Sequence, residues 1–189
     1  LWISLKRLWP GLERKPRGYC PILTHDVDSV AFSMNQNLLA FLKGAAGDIL
    51  KRHSPGLARE RISGYHAALG GNFEYDPCNT FGYIMDVAEA VGLKSSFFFI
   101  GSTDPSTIKR HYDIKHPWVK GLMKSIHQRG HSIEFHPTYG TCANVHLLAQ
   151  EFQEIATVCN GLGIQDKQWC GRQHRLEWIN PTTWSNYDQ

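Results

Sequence analysis

The sequence predicts an α/β protein with parallel strands, on three observations. Short apolar runs of strand length alternate with segments of helical period, giving strand, helix, strand, helix, strand, helix, strand. One of these runs, Lys94-Ser95-Ser96-Phe97-Phe98-Phe99-Ile100, is continuously apolar towards its end, as in a parallel strand covered on both faces. Polar groups suited to chemistry recur just after the runs, where parallel βα folds gather their sites.

Taken in order, residues 1–18 are basic, rich in Pro and Gly, and carry Trp2 and Trp9; they read as a lead-in segment or the tail of a preceding domain. Residues 19–189 read as one domain. Tyr19 to Leu23 has the length of a buried strand, with Gly18 before it. Thr24-His25-Asp26-Val27-Asp28 follows. Asp26 and Asp28 are two apart, so on an extended chain both carboxylates point to one side. A bound cation or a shared proton would offset their repulsion; a solvated turn that ends the strand is the plainer reading of the pair alone.

From Val30 to Asp76 the pattern is weak. Leu38, Leu39, Phe41 and Leu42 suit one side of a helix that Ile49-Leu50 extends, but Gly44, Gly47 and Gly70-Gly71 predict a loop-rich excursion, the kind that walls a site. Asn79 or Thr80 caps a helix with Phe81, Ile84, Met85, Ala88 and Val91 inward, and Gly92 ends it. After the strand at 94–100, Pro117 opens a helix with Trp118, Leu122 and Ile126 as its inner stripe, and Gly130 closes it. A strand over His131-Ser132-Ile133-Glu134-Phe135-His136 comes next. A helix from about Asn144 to Asn160 follows, with Leu148, Phe152, Ile155 and Cys159 on one face, then a fourth strand over 168–172.

At 189 residues the chain can bury one sizeable core. A net charge of +3 is too small to argue for nucleic acid. No apolar run reaches transmembrane length, and there is no signal peptide. The chain lacks an initiator Met and stops inside a helix start at Trp184-Ser185-Asn186-Tyr187-Asp188-Gln189, so a fragment truncated at both ends is expected. Five irregularly spaced cysteines suit neither a disulfide framework nor a zinc ribbon. Free thiols of a reducing compartment are expected instead, which tilts localisation towards the cytoplasm.

Four polar groups fall after the strands: Asp26 and Asp28, Ser102-Thr103-Asp104, His136, and Arg172 with His174. Asp plus His is a ligand set for Zn²⁺ or a similar divalent ion. Such an ion lowers the pKa of water to about 7 and polarises a carbonyl. A second carboxylate beside it can act as general base, held ionised by an Arg. His131 reads as a structural or surface group, Phe97-Phe98-Phe99 as core. Cys142, near His136 and His146, has nothing to orient it as a nucleophile.

Thr24-His25-Asp26-Val27-Asp28, the strand at 94–100, Gly130-His131-Ser132-Ile133-Glu134-Phe135-His136-Pro137-Thr138-Tyr139 and Gly171-Arg172-Gln173-His174 resemble the polysaccharide deacetylase (NodB-homology) superfamily. The match is to a bacterial branch with Thr-His-Asp-Val-Asp and Arg-Gln-His motifs. Asp76-Pro77-Cys78-Asn79-Thr80-Phe81 and Tyr112-Asp113-Ile114-Lys115-His116-Pro117 resemble it too. The resemblance implies a distorted (β/α) barrel, here partial with its C-terminal strands missing, and metal-dependent hydrolysis of an N-acetyl or similar C–N bond. It assigns Asp26 as catalytic base, Arg172 as the Arg that orients it, and Asp28 and His136 as metal ligands. The superfamily's second His falls at Gly140 here, and His174, two residues beyond Arg172, is inferred as the replacement ligand. Tyr139, with Trp169 and Trp178, is expected to stack on a sugar ring. The expected substrate is a sugar or cell-envelope glycan. The alternatives are a small amide or a non-catalytic carbohydrate-binding relative with a degraded metal site.

Overall fold

The structure, a computed structural model, describes residues 2–13, 18–31, 34, 38–76, 78–165 and 168–187. Residues 14–17 of the lead-in, Pro77 in one resembling segment, and Asp188-Gln189 lie outside them. Three strands, β1 (Leu23–Val27), β2 (Ser95–Phe99) and β3 (Ser132–Phe135), form a parallel sheet in that order. Eight helices accompany it among the described residues: α1 (Trp2–Leu8), α2 (Leu38–Leu50), α3 (Pro55–Leu69), α4 (Phe81–Ala90), α5 (Pro105–Arg110), α6 (Pro117–Gln128), α7 (Val145–Gly161) and α8 (Thr182–Tyr187). The chain is thus mixed α/β with parallel strands. The register sets Asp26 beside Phe98 and Phe98 beside Glu134, so the exits of all three strands share one edge. The continuous apolarity of β2 has its cause in burial on both faces: Phe97, Phe98, Phe99 and Ile100 are all buried.

Several expectations need correcting. The first strand starts at Leu23, where pairing with Ser95 begins, and not at Tyr19; Tyr19 and Ile22 are exposed. Asp26 therefore lies inside the strand. The fourth strand reduces to a single parallel bridge between Phe135 and Gly171. Phe135 N donates to Cys170 O and Arg172 N donates to Phe135 O, each at 3.0 Å. The ladder stops there because Cys170 N is taken by the Glu134 carboxylate, at 2.7 Å. Among the described residues the sheet is open and no barrel closes.

The excursion before Asp76 is a helical hairpin, α2 with α3, and not a loop. Gly44 lies within α2, where Arg61 crosses over it; a Cβ there would stand 3.4 Å from Arg61 Nη1, an ordinary contact. Arg61 and Arg52 both bond the buried carboxylate of Asp48, which ties the two helices together. The core stripe of α6 is Val119, Met123 and Ile126; Trp118 and Leu122 are only half-buried beside it. His116 caps that helix, its ring accepting from Trp118 N at 3.2 Å. α1 buries none of its side chains.

Beyond β2, Gly101 meets α7 so closely that a Cβ would fall 2.2 Å from Glu151 O. That contact sets the depth at which Glu151, itself buried, sits under the loop after β3. At the other end of the sheet His131 is structural, as expected. Its Nδ1 accepts from Ser95 N at 2.9 Å, and its Nε2 faces Glu89 Oε1 at 3.1 Å. Glu89 is also bonded by Arg129 and Lys94, and Arg129 chiefly holds its carboxyl down at about 2. The unfolded chain would titrate Glu89 near 4.5, so its contribution to stability is complete above that pH and is lost between 4.5 and about 2. Glu89→Gln is expected to flatten the acid limb of urea-unfolding free energy measured from pH 5 to pH 2. Identical slopes in the two proteins would show that Glu89 does not carry it.

Candidate metal centre

The site starts from the alternation of β1. Thr24 and Asp26 project to one side, and Arg172 reaches across to both. Its Nη1 donates to Asp26 Oδ1 at 2.9 Å and its Nη2 to Thr24 Oγ1 at 2.8 Å. The guanidinium carbon lies 4.6 Å from the centre of the Phe98 ring, so its plane is supported from below while both arms are fixed by β1. His25 points the other way, to Ser95 Oγ and the Phe97 ring.

Each residue of Arg172-Gln173-His174 does one task, because the extended backbone at Gln173 alternates their directions. Gln173 is buried and its Nε2 donates to Thr138 O (3.0 Å) and Thr141 Oγ1 (2.7 Å), pinning the loop after β3. His174 turns back to the strand exits, its N donating to Pro137 O at 3.1 Å. His136 extends β3 by one residue, its N donating to Phe99 O at 2.8 Å.

Asp28, His136 and His174 converge there. His136 Nε2 lies 3.1 Å from His174 Nδ1 and 3.5 Å from Asp28 Oδ1, and His174 Nδ1 lies 3.3 Å from Asp28 Oδ1. Tetrahedral coordination with bonds of about 2.0–2.1 Å places neighbouring donors about 3.3 Å apart, so the triangle has the dimensions of one face of such a site. The tautomer also fits. His136 Nδ1 donates to Arg172 O at 2.6 Å, which leaves the Nε2 lone pair facing Asp28 and His174. Burial is the main cause that pulls the His174 pKa below its ordinary value, with help from the neighbouring His136 and against the pull of Asp28. A neutral imidazole is the form that binds metal.

Sequence reasoning missed His111. Tyr112 is wholly buried; its phenol donates to Val27 O (3.0 Å) and accepts from Ile100 N (2.7 Å), plugging the gap where β1 and β2 part. Burial raises the Tyr112 pKa, so the phenol keeps the proton it donates. The plug carries its neighbour into the site, where His111 Nδ1 donates to Asp28 O at 2.9 Å and the ring stands edge-on to His174. No local pattern marks it: the burial of Tyr112, a tertiary event, is what brings His111 to Asp28. Glu151 was missed too: it accepts from Thr138 N and Oγ1 and braces the same loop that Gln173 pins, and burial raises its pKa.

An open cavity of 530 Å³ is lined by Asp26, Asp28, Ser29, Arg110, His111, His136, His174 and Arg175. A larger cleft of 620 Å³, containing Trp169 and Phe152, is mostly apolar and brings together no such set of groups. Ser102-Thr103-Asp104 does not join the site, contrary to expectation. Asp104 is occupied as the cap of α5, accepting from Thr107 N at 3.0 Å, and the trio lines a separate cleft with Glu151. Tyr139 is 63% exposed and does not line the cavity; it meets it only through Arg175, whose guanidinium lies 5.8 Å from its ring. Trp178 stacks on Tyr187 instead. Gly140 adopts a left-handed φ of 86° at the start of the 3-10 turn Thr141–Ala143, and its N donates to the Glu177 carboxylate. Burial first, and Glu177 second, push the Cys142 thiol up, the reverse of an activated nucleophile.

Fold and site together define a mixed α/β chain whose two histidines and one aspartate can hold a metal ion, with an Arg-bound carboxylate on the same cavity. Comparison with protein-family models, curated proteins and solved structures finds no match. No helix among the described residues is long and apolar enough to cross a membrane.

Proposed function

We propose that this chain is a metal-dependent hydrolase of non-peptide C–N bonds, a deacetylase of an N-acetylated sugar or cell-envelope glycan. The observation that carries the reading is the donor triangle of Asp28, His136 and His174 on the same cavity as the Arg172-bound Asp26. The open parallel sheet is read as the beginning of a distorted (β/α) barrel of the NodB type, on the strength of the motif resemblance. Zinc suits a site of two imidazoles and one carboxylate with room for a fourth ligand. When bound it would lower the pKa of water to about 7 and polarise the amide carbonyl.

The protein's own groups do the rest. Asp26 takes the proton of the attacking water as general base. Arg172 bonds Asp26 and, with Thr24 holding its other arm, fixes where the carboxylate stands. Asp28 is 56% exposed at its side chain, so the centre is reached from solvent; an open mouth of this kind suits a glycan better than a small amide.

The test is zinc content and acetate release from N-acetylglucosamine oligomers by the purified chain. About one ion per chain and acetate release that a chelator abolishes are expected. A stoichiometric ion without acetate release removes the deacetylase and keeps the metal site. Absence of both leaves a non-catalytic carbohydrate-binding protein.

A further inference from the structure

The lining of the cavity carries more cationic groups than cleavage of a neutral N-acetyl group requires. Arg110, the last residue of α5, and Arg175, the neighbour of His174, both line it. Of the cavity's carboxylates, Asp26 is paired with Arg172, and the charge of Asp28 is the one a divalent ion on the donor triangle would take up. Among the described residues neither Arg110 nor Arg175 makes an ion pair with a carboxylate.

Each is nonetheless placed. Arg110 folds back on its own helix, its Nε donating to Ser106 O at 3.2 Å and its Nη2 to Ser106 Oγ at 3.4 Å. Arg175 rests against the Tyr139 ring. Its backbone is in the left-handed region, φ 57°, and so is that of Leu176, φ 53°. Two successive non-glycine residues in that region are strained, and such strain gathers where a side chain must be aimed. The turn is closed by Leu176 N donating to Gln173 O at 2.9 Å, so the backbone that positions His174 also presents Arg175. A divalent ion on Asp28 would add to the positive surplus.

We propose that the substrate carries an oxyanion group, a carboxylate or a phosphate, which Arg110 and Arg175 bind while the N-acetyl group meets the metal centre. This rests on the hydrolase reading above and narrows its substrate class to acidic N-acylated sugars. Guanidinium groups match both oxyanions in shape and charge. Surplus charge around a cavity also draws anions in, an effect that salt weakens.

Two measurements test it. Inorganic phosphate is titrated by calorimetry at fixed ionic strength into the zinc-loaded chain, as wild type and as the double variant Arg110→Gln/Arg175→Gln. The dissociation constant is expected to rise at least about 10-fold, the effect of losing charge-assisted bonds, with zinc content unchanged. An equal affinity in the two proteins overturns the proposal. The second measurement compares KM for acetate release from N-acetylglucosamine 6-phosphate, N-acetylmuramic acid and N-acetylglucosamine. Either acidic sugar is expected to show the lower KM, with the advantage lost in the double variant, and which one does so tells phosphate from carboxylate. Equal KM for all three in the wild type overturns the proposal. If no sugar releases acetate the hydrolase reading fails, while the phosphate titration, repeated on the metal-free chain, still decides whether the two arginines bind an anion.

Discussion

His174→Ala is expected to weaken zinc binding more than about 100-fold, so that the chain purifies without the ion. Three donors set the corners of the candidate site, and two of the three separations between them involve His174 Nδ1. Its removal leaves Asp28 and His136, 3.5 Å apart, and a pair of ligands holds zinc poorly. The loss should come without unfolding. The side chain of His174 is 15% exposed, and the main-chain bond from its N to Pro137 O survives the substitution. The far-ultraviolet circular dichroism should therefore match the wild type while elemental analysis reports the missing ion. One retained ion per mutant chain would take His174 out of the site. His111 would then be the residue to test, because it already touches Asp28, whereas His25 faces the opposite side of β1.

What the sequence made legible follows from range. Local patterns read well: the apolar run of β2, the Pro117 start of α6 and the start of α7 near Asn144, which the structure shows to be its cap, accepting from Leu147 N. The site motifs were legible as a set because strand exits in a parallel sheet share an edge, so residues after different strands are drawn together whatever their separation. Arg172 and Asp26 meet although 146 residues part them. Errors arose where a local signal had a tertiary cause. Gly44 looks like a helix breaker, yet α2 runs through it, held against α3 where Arg61 reaches Asp48. Asp104 looks like a site residue after a strand, yet the exposed N–H groups of α5 claim it. The segment over 168–172 looks like a strand, yet the Glu134 carboxylate takes the main-chain donor that would have continued the ladder. His111 carries no local signal of function at all; only the burial of Tyr112 brings it to Asp28.

The second large effect expected is at Asp26. Asp26→Asn conserves shape and can still accept a bond from Arg172, but its amide cannot take a proton from water. Acetate release is expected to fall by about 10²–10⁴, the usual worth of a general base, with zinc still at one ion per chain. That combination separates the two carboxylates of the Asp-x-Asp pair, since Asp28→Asn would remove charge from the donor triangle and lower zinc affinity as well. Arg172→Ala adds a further distinction. The carbonyl that holds His136 Nδ1 is main chain, so the His136 tautomer persists in that variant and the ion should stay. What is lost is the guanidinium that holds the Asp26 carboxylate in place, and rate should fall while metal content does not. Loss of zinc in Asp26→Asn would make Asp26 a ligand. The base would then have to be sought elsewhere on the cavity wall, where His111 is the remaining group that can accept a proton.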